Sequence, residues 1–242
     1  DITRSGSNSQ FQAVDSRIIA KAPKTLKDDE ATVLPLTSIT AWEGMFDRMN
    51  IKKDEKKTIL IIGGAGGVGS IAMQIAKQTT NLTVISTASR NETIDWCKKM
   101  GADYVVNHRD LIASVKKAGY ESVDYIFNLA NTSSHWDAMV ELIAPQGKIC
   151  SIVDSTGSID INKLKSKSVT FVWEFMFTRT MFNTEDIVKQ HKILTQIATL
   201  VDEGKIKTTL SKTIEGFSVK SFKEAHKLSE SGKTIGKIAI TF

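Results

Sequence analysis

Short apolar runs alternate, through the middle of the chain, with segments whose apolar residues recur at helical spacing. The runs are rich in Ile, Val and aromatic residues, which favour extended structure. They predict strands over Thr58 to Ile62, Leu82 to Thr87, Tyr104 to Val106, Val123 to Leu129, Lys148 to Val153 and Val169 to Phe175. Strands that alternate with helices in this way predict a doubly wound α/β fold with a parallel sheet.

Two of the intervening helices carry recognisable ends. Ser89 and Glu92 have the spacing of an S-x-x-E capping box, and Gly101 stands where a left-handed residue ends a helix. Asp110 has the position of an N-cap for a second helix, and Gly119 follows that helix. These signals place helices directly after the second and third predicted strands.

The two ends of the chain lack this alternation. Before Trp42 there is one short apolar run, with Pro23 and Pro35, and no helix that could complete a βαβ unit. After Gly204 the pattern predicts strands over 206–214 and 235–242 around a helix over 219–229. Both ends are therefore expected to belong to one second domain, which the chain leaves and re-enters. The predicted units are 1–36, 37–203 and 204–242.

The composition is that of an ordinary globular protein, with 41% hydrophobic and 24% charged residues. A net charge of +5 permits an anionic ligand, but the basic residues are scattered without interleaved aromatics, so nucleic-acid binding is not predicted. Two cysteines cannot build a disulfide framework, which fits a reducing compartment, and we expect a cytoplasmic protein. No run approaches the ~20 apolar residues of a membrane helix, so no membrane association is expected.

A glycine-rich loop follows the first predicted strand. Gly64, Gly66 and Gly69 form a G-x-G-x-x-G pattern, and the following residues Ile71, Ala72, Ile75 and Ala76 share one helix face. Such glycines allow a tight turn, close approach of a pyrophosphate and close helix–strand packing, while the helix N-terminus faces the phosphates. The position between strand and helix predicts a dinucleotide site. The alternative is a glycine-rich turn without a ligand.

The end of the second predicted strand indicates which dinucleotide is bound. NAD-binding folds place an acidic residue there to hold the ribose 2′-hydroxyl. No acid occurs from Leu82 to Arg90, whereas Ser89 and Arg90 offer a hydroxyl and a guanidinium suited to a 2′-phosphate. We therefore predict NADP(H). Two alternatives are that Ser89 is only a helix cap beside a solvated Arg90, or that Glu92 reaches back to the ribose.

Several motifs together resemble a known family. They are L-P-L-T-S-I-T-A-W, I-I-G-G-A-G-G-V-G-S-I-A-M-Q-I-A-K, T-A-S-R, G-A-D-Y-V-V-N-H-R-D, I-A-P-Q-G-K-I-C-S-I, W-E-F-M-F-T-R-T-M-F and S-G-K-T-I-G-K-I-A-I. The chain resembles the medium-chain dehydrogenases/reductases, in particular the zinc-type alcohol dehydrogenase-like members of their quinone oxidoreductase-like branch. The resemblance implies a Rossmann-type sheet flanked by remnants of a GroES-like β domain. It also implies that most of that domain is absent, with only its last part present, up to about Leu36.

The resemblance further implies which residues line the cofactor. Thr40 would meet the nicotinamide amide, the glycine loop would lie under the pyrophosphate, and Lys237 would be a basic residue of the closing motif. His108 would pack near the adenosine phosphate, although a partly exposed loop histidine is an equal reading. Phe175 and Phe177 would approach the nicotinamide, or pack in the core or a dimer interface. The complete predicted set is Thr40, Gly64, Gly66, Gly67, Val68, Gly69, Ser89, Arg90, His108, Asn128, Leu129, Ala130, Phe175, Phe177 and Lys237.

The same resemblance bears on zinc. Zinc-dependent relatives place a ligand four residues before the threonine that matches Thr40, and this chain has Leu36 there. The cysteines and histidines show no ligand spacing such as C-x-x-C or H-x-x-x-H. We therefore expect no metal site and no catalytic zinc.

Together these features predict an NADPH-dependent reductase of the quinone or enone type, with a small carbonyl or quinone substrate. The alternatives are a zinc-dependent alcohol dehydrogenase and a non-catalytic NADPH-binding protein. The sequence names no proton donor, so the catalytic residues are unknown. The aromatic segment from Val169 to Phe182 is unusual for the last strand of an open sheet, and we expect at least a homodimer.

Overall fold

The predicted parallel sheet is present in the computed structural model, which describes residues 2–4, 6 and 8–242. Its strands are β1 (Thr58–Ile62), β2 (Thr83–Thr87), β3 (Tyr104–Val106), β4 (Val123–Asn128), β5 (Ile143–Ser151) and β6 (Thr170–Trp173). All neighbours are parallel, in the order β3-β2-β1-β4-β5-β6. This arrangement is the Rossmann-type doubly wound fold, and ligands of such sheets bind where the order reverses, between β1 and β4.

Helices cover both faces of the sheet. They are α1 (Asp28–Thr32), α2 (Pro35–Trp42), α3 (Gly67–Thr79), α4 (Asn91–Lys99), α5 (Leu111–Lys117), α6 (Thr132–Leu142), α7 (Thr178–Met181), α8 (Lys189–Asp202) and α9 (Val219–Glu230). In β1, Ile59 and Ile61 enter one core cluster, whereas Leu60 and Ile62 enter the other. Burial on both faces explains why β1 is apolar without alternation.

Two helix starts differ from their predictions. The expected capping box of Ser89 and Glu92 is wrong, because the chain stays extended through Arg90 and α4 begins at Asn91. Thr93 takes the capping role, since its hydroxyl accepts the Arg90 N–H at 3.1 Å. Asp110 does stand at the N-cap of α5, but its side chain makes no capping hydrogen bond. Gly101 and Gly119 have positive φ angles, as their helix-ending positions require.

Some strand limits also differ. β5 begins at Ile143 rather than Lys148, and its register against β4 shifts between Val123 and Tyr125. Gln146 takes a positive φ of 62° within this irregular part. Because the segment also contains Pro and Gly, its sequence does not predict a strand. β6 is shorter than predicted at both ends. The limits of β1 and of the short edge strand β3 agree with the predictions, and those of β2 and β4 differ from them by one residue.

The two ends of the chain meet each other. β7 (Leu210–Glu215) and β8 (Lys237–Thr241) form a separate parallel pair joined by α9. Helix α1 packs against this pair, and the Thr208 hydroxyl donates to the Glu30 carbonyl at 2.8 Å. Within the described residues before Leu36 there is no strand, only a 3₁₀ turn at Ser16–Ile18 and helices. These contacts join the two ends, whereas the domain limits and their assignment to a GroES-like domain stay predictions.

A buried ionic network fixes the segment after β6. Arg179 pairs with Glu43 at 2.6 Å, with Asp47 at 2.8 Å and with Asp186 at 2.9 Å. Glu43 and Asp47 belong to a π-helical turn, Glu43–Arg48, that continues α2. Glu174, in the same network, pairs with Arg48 at 2.8 Å, and burial beside Glu43 raises the pKa of Glu174 above its usual range. The acidic and basic residues of W-E-F-M-F-T-R thus attach that segment to the end of α2.

Candidate functional site

Three glycines in the loop after β1 are required, Gly64 and Gly69 by close packing and Gly63 by its backbone conformation. A Cβ atom at Gly64 would lie 1.7 Å from Oγ of Ser86, on β2. At Gly69 it would lie 2.5 Å from the main-chain oxygen of Gly64. Gly63 adopts a positive φ of 89°, and its N–H donates to the Thr87 hydroxyl at 2.9 Å. These residues bring β1, β2 and α3 close together, which is the packing that the glycine pattern predicts.

Gly66 has a different role. A Cβ there would contact only the Gly63 carbonyl oxygen, at 3.5 Å. Gly66 is the N-cap of α3, and no side chain caps this helix. The first amide groups of α3 therefore have no partner within the helix and point beyond its N-terminus, where a phosphate group is stabilised. The space in front of these amide groups at Gly66 is therefore open.

A crevice of about 550 Å³ opens at the carboxyl ends of the strands, over this loop. Three cationic side chains line it, namely Arg90, Arg109 and Lys233. Among the described residues that line the crevice there is no Asp or Glu. The remaining lining residues are Ile62, Gly63, Ala65, Gly66, Thr87, Ala88, Ser89, Thr93, His108, Leu129, Ala130, Asn131, His135, Gly232 and Thr234. The crevice thus presents positive charge and hydroxyl groups to a bound anion.

Arg90 is held in place by two neighbours. Its Nη2 donates to the Lys233 carbonyl oxygen at 2.9 Å, and its Nε lies 3.2 Å from Oε1 of Glu92. Glu92 is therefore paired with Arg90 and does not itself line the crevice. The contact places Lys233, the first lysine of S-G-K-T-I-G-K, at the same edge of the crevice as Ser89 and Arg90.

The residues around the start of β8, Gly236 and Lys237, also contact the glycine loop. Gly236 N–H donates to the Ala65 carbonyl at 2.8 Å, and Gly236 forms an isolated bridge with Gly66. Lys237 extends across Gly67, where an added Cβ would lie 2.6 Å from its Cδ. A second cleft, of about 600 Å³, shares Gly66 and Thr234 with the crevice and is lined by Lys237. Lys237 thus lies beside the N-terminus of α3, where it adds a positive charge.

Beyond the glycines and Lys237, five predicted residues do not line the crevice: Thr40, Val68, Asn128, Phe175 and Phe177. Thr40 is buried on α2, and its hydroxyl donates to the Leu36 carbonyl at 2.9 Å. Asn128 is fully buried, and its amide nitrogen donates to Ala130 O, Thr132 Oγ1 and Ser151 Oγ. Phe175 and Phe177 pack edge to face at 5.4 Å after β6. Asn128 therefore positions the turn that carries Leu129 and Ala130, which do line the crevice.

Several lining residues were missed by the sequence analysis. Arg109 and Lys233 stand inside motifs that were quoted, N-H-R-D and S-G-K-T, so their charge was an available signal. Thr87 ends β2, and Asn131 is the N-cap of α6, whose side chain accepts the Ser134 N–H at 2.9 Å. His135 lies in the first turn of α6, and no local pattern connects it with the distant His108.

Metal ligands are the remaining question for this site. Within residues 2–4, 6 and 8–242, no three His, Cys, Asp or Glu side chains are grouped to hold a metal ion. Both cysteines are buried and free, and burial raises the pKa of each thiol, which opposes the thiolate that zinc requires. The donor set of the described residues therefore does not fit a catalytic zinc, which needs three protein ligands.

None of the helices in the described part of the chain combines the length and apolar content that crossing a membrane requires.

Comparison with known proteins places this geometry in a family. Residues 100–240 match the family model of the zinc-binding dehydrogenases. A zinc-type alcohol dehydrogenase-like protein of Staphylococcus aureus is 47% identical over 98% of this chain and 72% of its own length. A crystal structure from Rhizobium etli, provisionally assigned as a zinc-dependent alcohol dehydrogenase, is 46% identical with a TM-score of 0.94, covering 100% of this chain and 72% of that one.

A more distant relative, a 2-methylene-furan-3-one reductase of Solanum lycopersicum, is 25% identical over 97% of this chain and 52% of its own length. The parallel sheet, the glycine loop and these similarities agree. The chain belongs to the zinc-binding dehydrogenase family, within the medium-chain dehydrogenases/reductases, and is an oxidoreductase of the dehydrogenase/reductase kind.

Proposed function

We propose that this chain binds NADP(H) and supports zinc-independent reduction of a quinone or enone. The observation that carries the proposal is the crevice beside the glycine loop, lined by Ser89, Arg90, Arg109 and Lys233 without a carboxylate among the described lining residues. A ribose 2′-hydroxyl is normally held by an acid, whereas a 2′-phosphate needs cations and hydroxyl donors. We also propose the cytoplasm as its compartment.

The chemistry would come from the cofactor, which supplies a hydride when bound. The chain would hold the pyrophosphate at Gly66 and the N-terminus of α3, with Lys237 beside it. In the zinc-independent reaction proposed here, hydrogen-bond donors would stabilise the charge that develops on the substrate oxygen. A conjugated carbonyl or quinone spreads that charge, which suits this kind of catalysis. The similarity to a 2-methylene-furan-3-one reductase supports a conjugated substrate.

The direct test is NADPH oxidation against a panel of quinones, enals and simple alcohols or ketones. We expect activity with quinones or enals, unchanged after exhaustive chelation, and no stoichiometric zinc by elemental analysis. Bound zinc whose removal abolishes activity would favour the zinc-dependent alcohol dehydrogenase alternative. Tight NADPH binding with no turnover of any substrate would favour the non-catalytic alternative.

Arg90→Ala is expected to narrow the preference for NADPH over NADH. Loss of one charge-assisted phosphate contact costs about 1.5–3 kcal/mol, equivalent to a ten- to hundredfold weaker affinity for NADPH. Affinity for NADH should stay nearly unchanged, since it has no 2′-phosphate. Calorimetric titration with both cofactors measures this, and Lys98→Ala, at the opposite end of α4, is the matched control. Equal affinity of the unaltered protein for NADPH and NADH would contradict the proposal.

We further propose a homodimer formed through β6. This strand ends the sheet, so one of its edges has no neighbour among the described strands. Trp173 is 47% exposed, and beyond the strand Phe182 is 72% exposed. An apolar strand edge of this kind favours pairing with a second copy. Light scattering at micromolar concentration should report at least a dimer, which Trp173→Lys weakens and Phe242→Lys does not; a monomeric unaltered protein would refute the assignment.

A further inference from the structure

Two histidines face each other in the crevice. His108 precedes α5 and His135 lies in the first turn of α6, and their ring centroids are 6.5 Å apart in an edge-to-face arrangement. Both line the crevice. Within the described residues, neither imidazole has a hydrogen-bond partner or an ion pair. Two imidazoles without partners at the mouth of a basic crevice are free to donate to an anion.

We propose that His108 and His135 form a protonable pair that recognises the 2′-phosphate of NADP(H), so that preference for this cofactor over NAD(H) increases as the pH falls. The inference rests on the proposed NADP(H) binding and adds pH-dependent discrimination between NADP(H) and NAD(H) to that site. His135 is its new element, because only the fold places it opposite His108.

The charges around the pair are mostly positive. Arg90 faces the crevice from the end of β2, Arg109 from the turn that carries His108, and Lys233 from the closing segment. Asp110 follows Arg109 on that turn but does not line the crevice. On α6 the nearest acid along the chain is Asp137, which pairs with Lys163 at 2.6 Å. Among the described lining residues, no carboxylate is therefore available to pair with either imidazole.

This environment links protonation to ligand binding. Burial and the neighbouring His108 lower the pKa of His135, which keeps it neutral near pH 7 in the free protein. A phosphate dianion against the pair favours the imidazolium and raises its pKa, so binding takes up a proton. Affinity for the 2′-phosphorylated cofactor then rises as the pH falls, down to about pH 6, where a phosphate group itself begins to take up a proton.

The test is calorimetric titration with NADPH and NADH at pH 8 and pH 6.5, each in two buffers of different ionisation enthalpy. The ratio of the two affinities should rise about three- to fourfold between these pH values, as a shift near one pKa unit implies. NADPH binding should take up protons and NADH binding should not. Both cofactors contain the pyrophosphate, so any pH dependence of pyrophosphate binding cancels in the ratio of the two affinities.

Variants separate recognition from a structural role. His135→Gln and His108→Gln should each flatten the pH dependence and reduce proton uptake, whereas His191→Gln, on α8 outside the crevice, should change neither. His135→Lys supplies a permanent charge and should retain NADPH affinity at pH 8 while losing the pH dependence. A merely structural histidine would not be rescued by lysine.

Two outcomes would overturn the inference. The first is an equal pH dependence for NADPH and NADH, which leaves the affinity ratio unchanged with pH. The second is an unchanged pH dependence in the double variant His108→Gln with His135→Gln. Failure of both cofactors to bind at either pH would overturn the proposed function itself, and the inference with it.

Discussion

Gly66→Ala is expected to lower the affinity for NADPH by about a hundredfold, equivalent to roughly 2.7 kcal/mol, while the fold stays intact. The added methyl group would meet only the Gly63 carbonyl oxygen, at 3.5 Å, so the protein itself accommodates it. It would, however, occupy the space through which a pyrophosphate reaches the backbone at the start of α3. Calorimetric titration measures the affinity, and thermal unfolding checks that stability falls by no more than about 1 kcal/mol.

Gly69→Ala, three residues further, is the matched comparison, because it is expected to affect folding stability through close packing of the backbone. Its methyl group would lie 2.5 Å from the main-chain oxygen of Gly64, and backbone atoms on both sides cannot move aside independently. Loss of about 1–3 kcal/mol of folding stability is expected, as for other overpacked sites. Gly67→Ala should cost less, because the contact is with the flexible Lys237 side chain. Wild-type NADPH affinity in Gly66→Ala would show that this loop does not hold the pyrophosphate.

Arg179→Ala is expected to reduce the free energy of unfolding by about 3–5 kcal/mol. Arg179 and Glu43 are almost completely buried, and removing the Arg179 guanidinium leaves Glu43 with only the more distant Arg48, at 3.6 Å. Urea unfolding at pH 7 measures the change.

Arg17→Ala is the control for an ion pair at the surface. Arg17 pairs with Asp15 at 2.7 Å at the surface, where solvent screens the charges, so its removal should change the stability far less than removal of Arg179. Adding Glu43→Gln to Arg179→Ala should restore part of the loss, because the buried carboxylate that has lost its nearest cation is then absent. A loss below 1 kcal/mol in Arg179→Ala would mean that the network does not anchor the segment after β6.

The elements of the sheet were predictable because their signals are local. A strand buried on both faces needs an unbroken apolar run, so β1 was predicted with its exact limits, Thr58–Ile62. The glycine loop was predictable for the same reason, since the strand, the turn and the helix are adjacent in the sequence. The error at Ser89 and Glu92 arose where the choice of cap depended on how far β2 continues, which neighbouring strands decide.

The sequence by itself therefore determined the sheet, the glycine loop between β1 and α3 and the absence of an acid from Leu82 to Arg90. Only the tertiary structure decided which distant side chains share the crevice: Arg90, Arg109, His135 and Lys233 come from four separate connections. The physical reason is that the carboxyl ends of parallel strands meet only after the crossover helices have packed, so side chains far apart in the chain become neighbours without any local pattern. The same holds for Glu43 and Arg179, whose pairing depends on long-range burial of both charges.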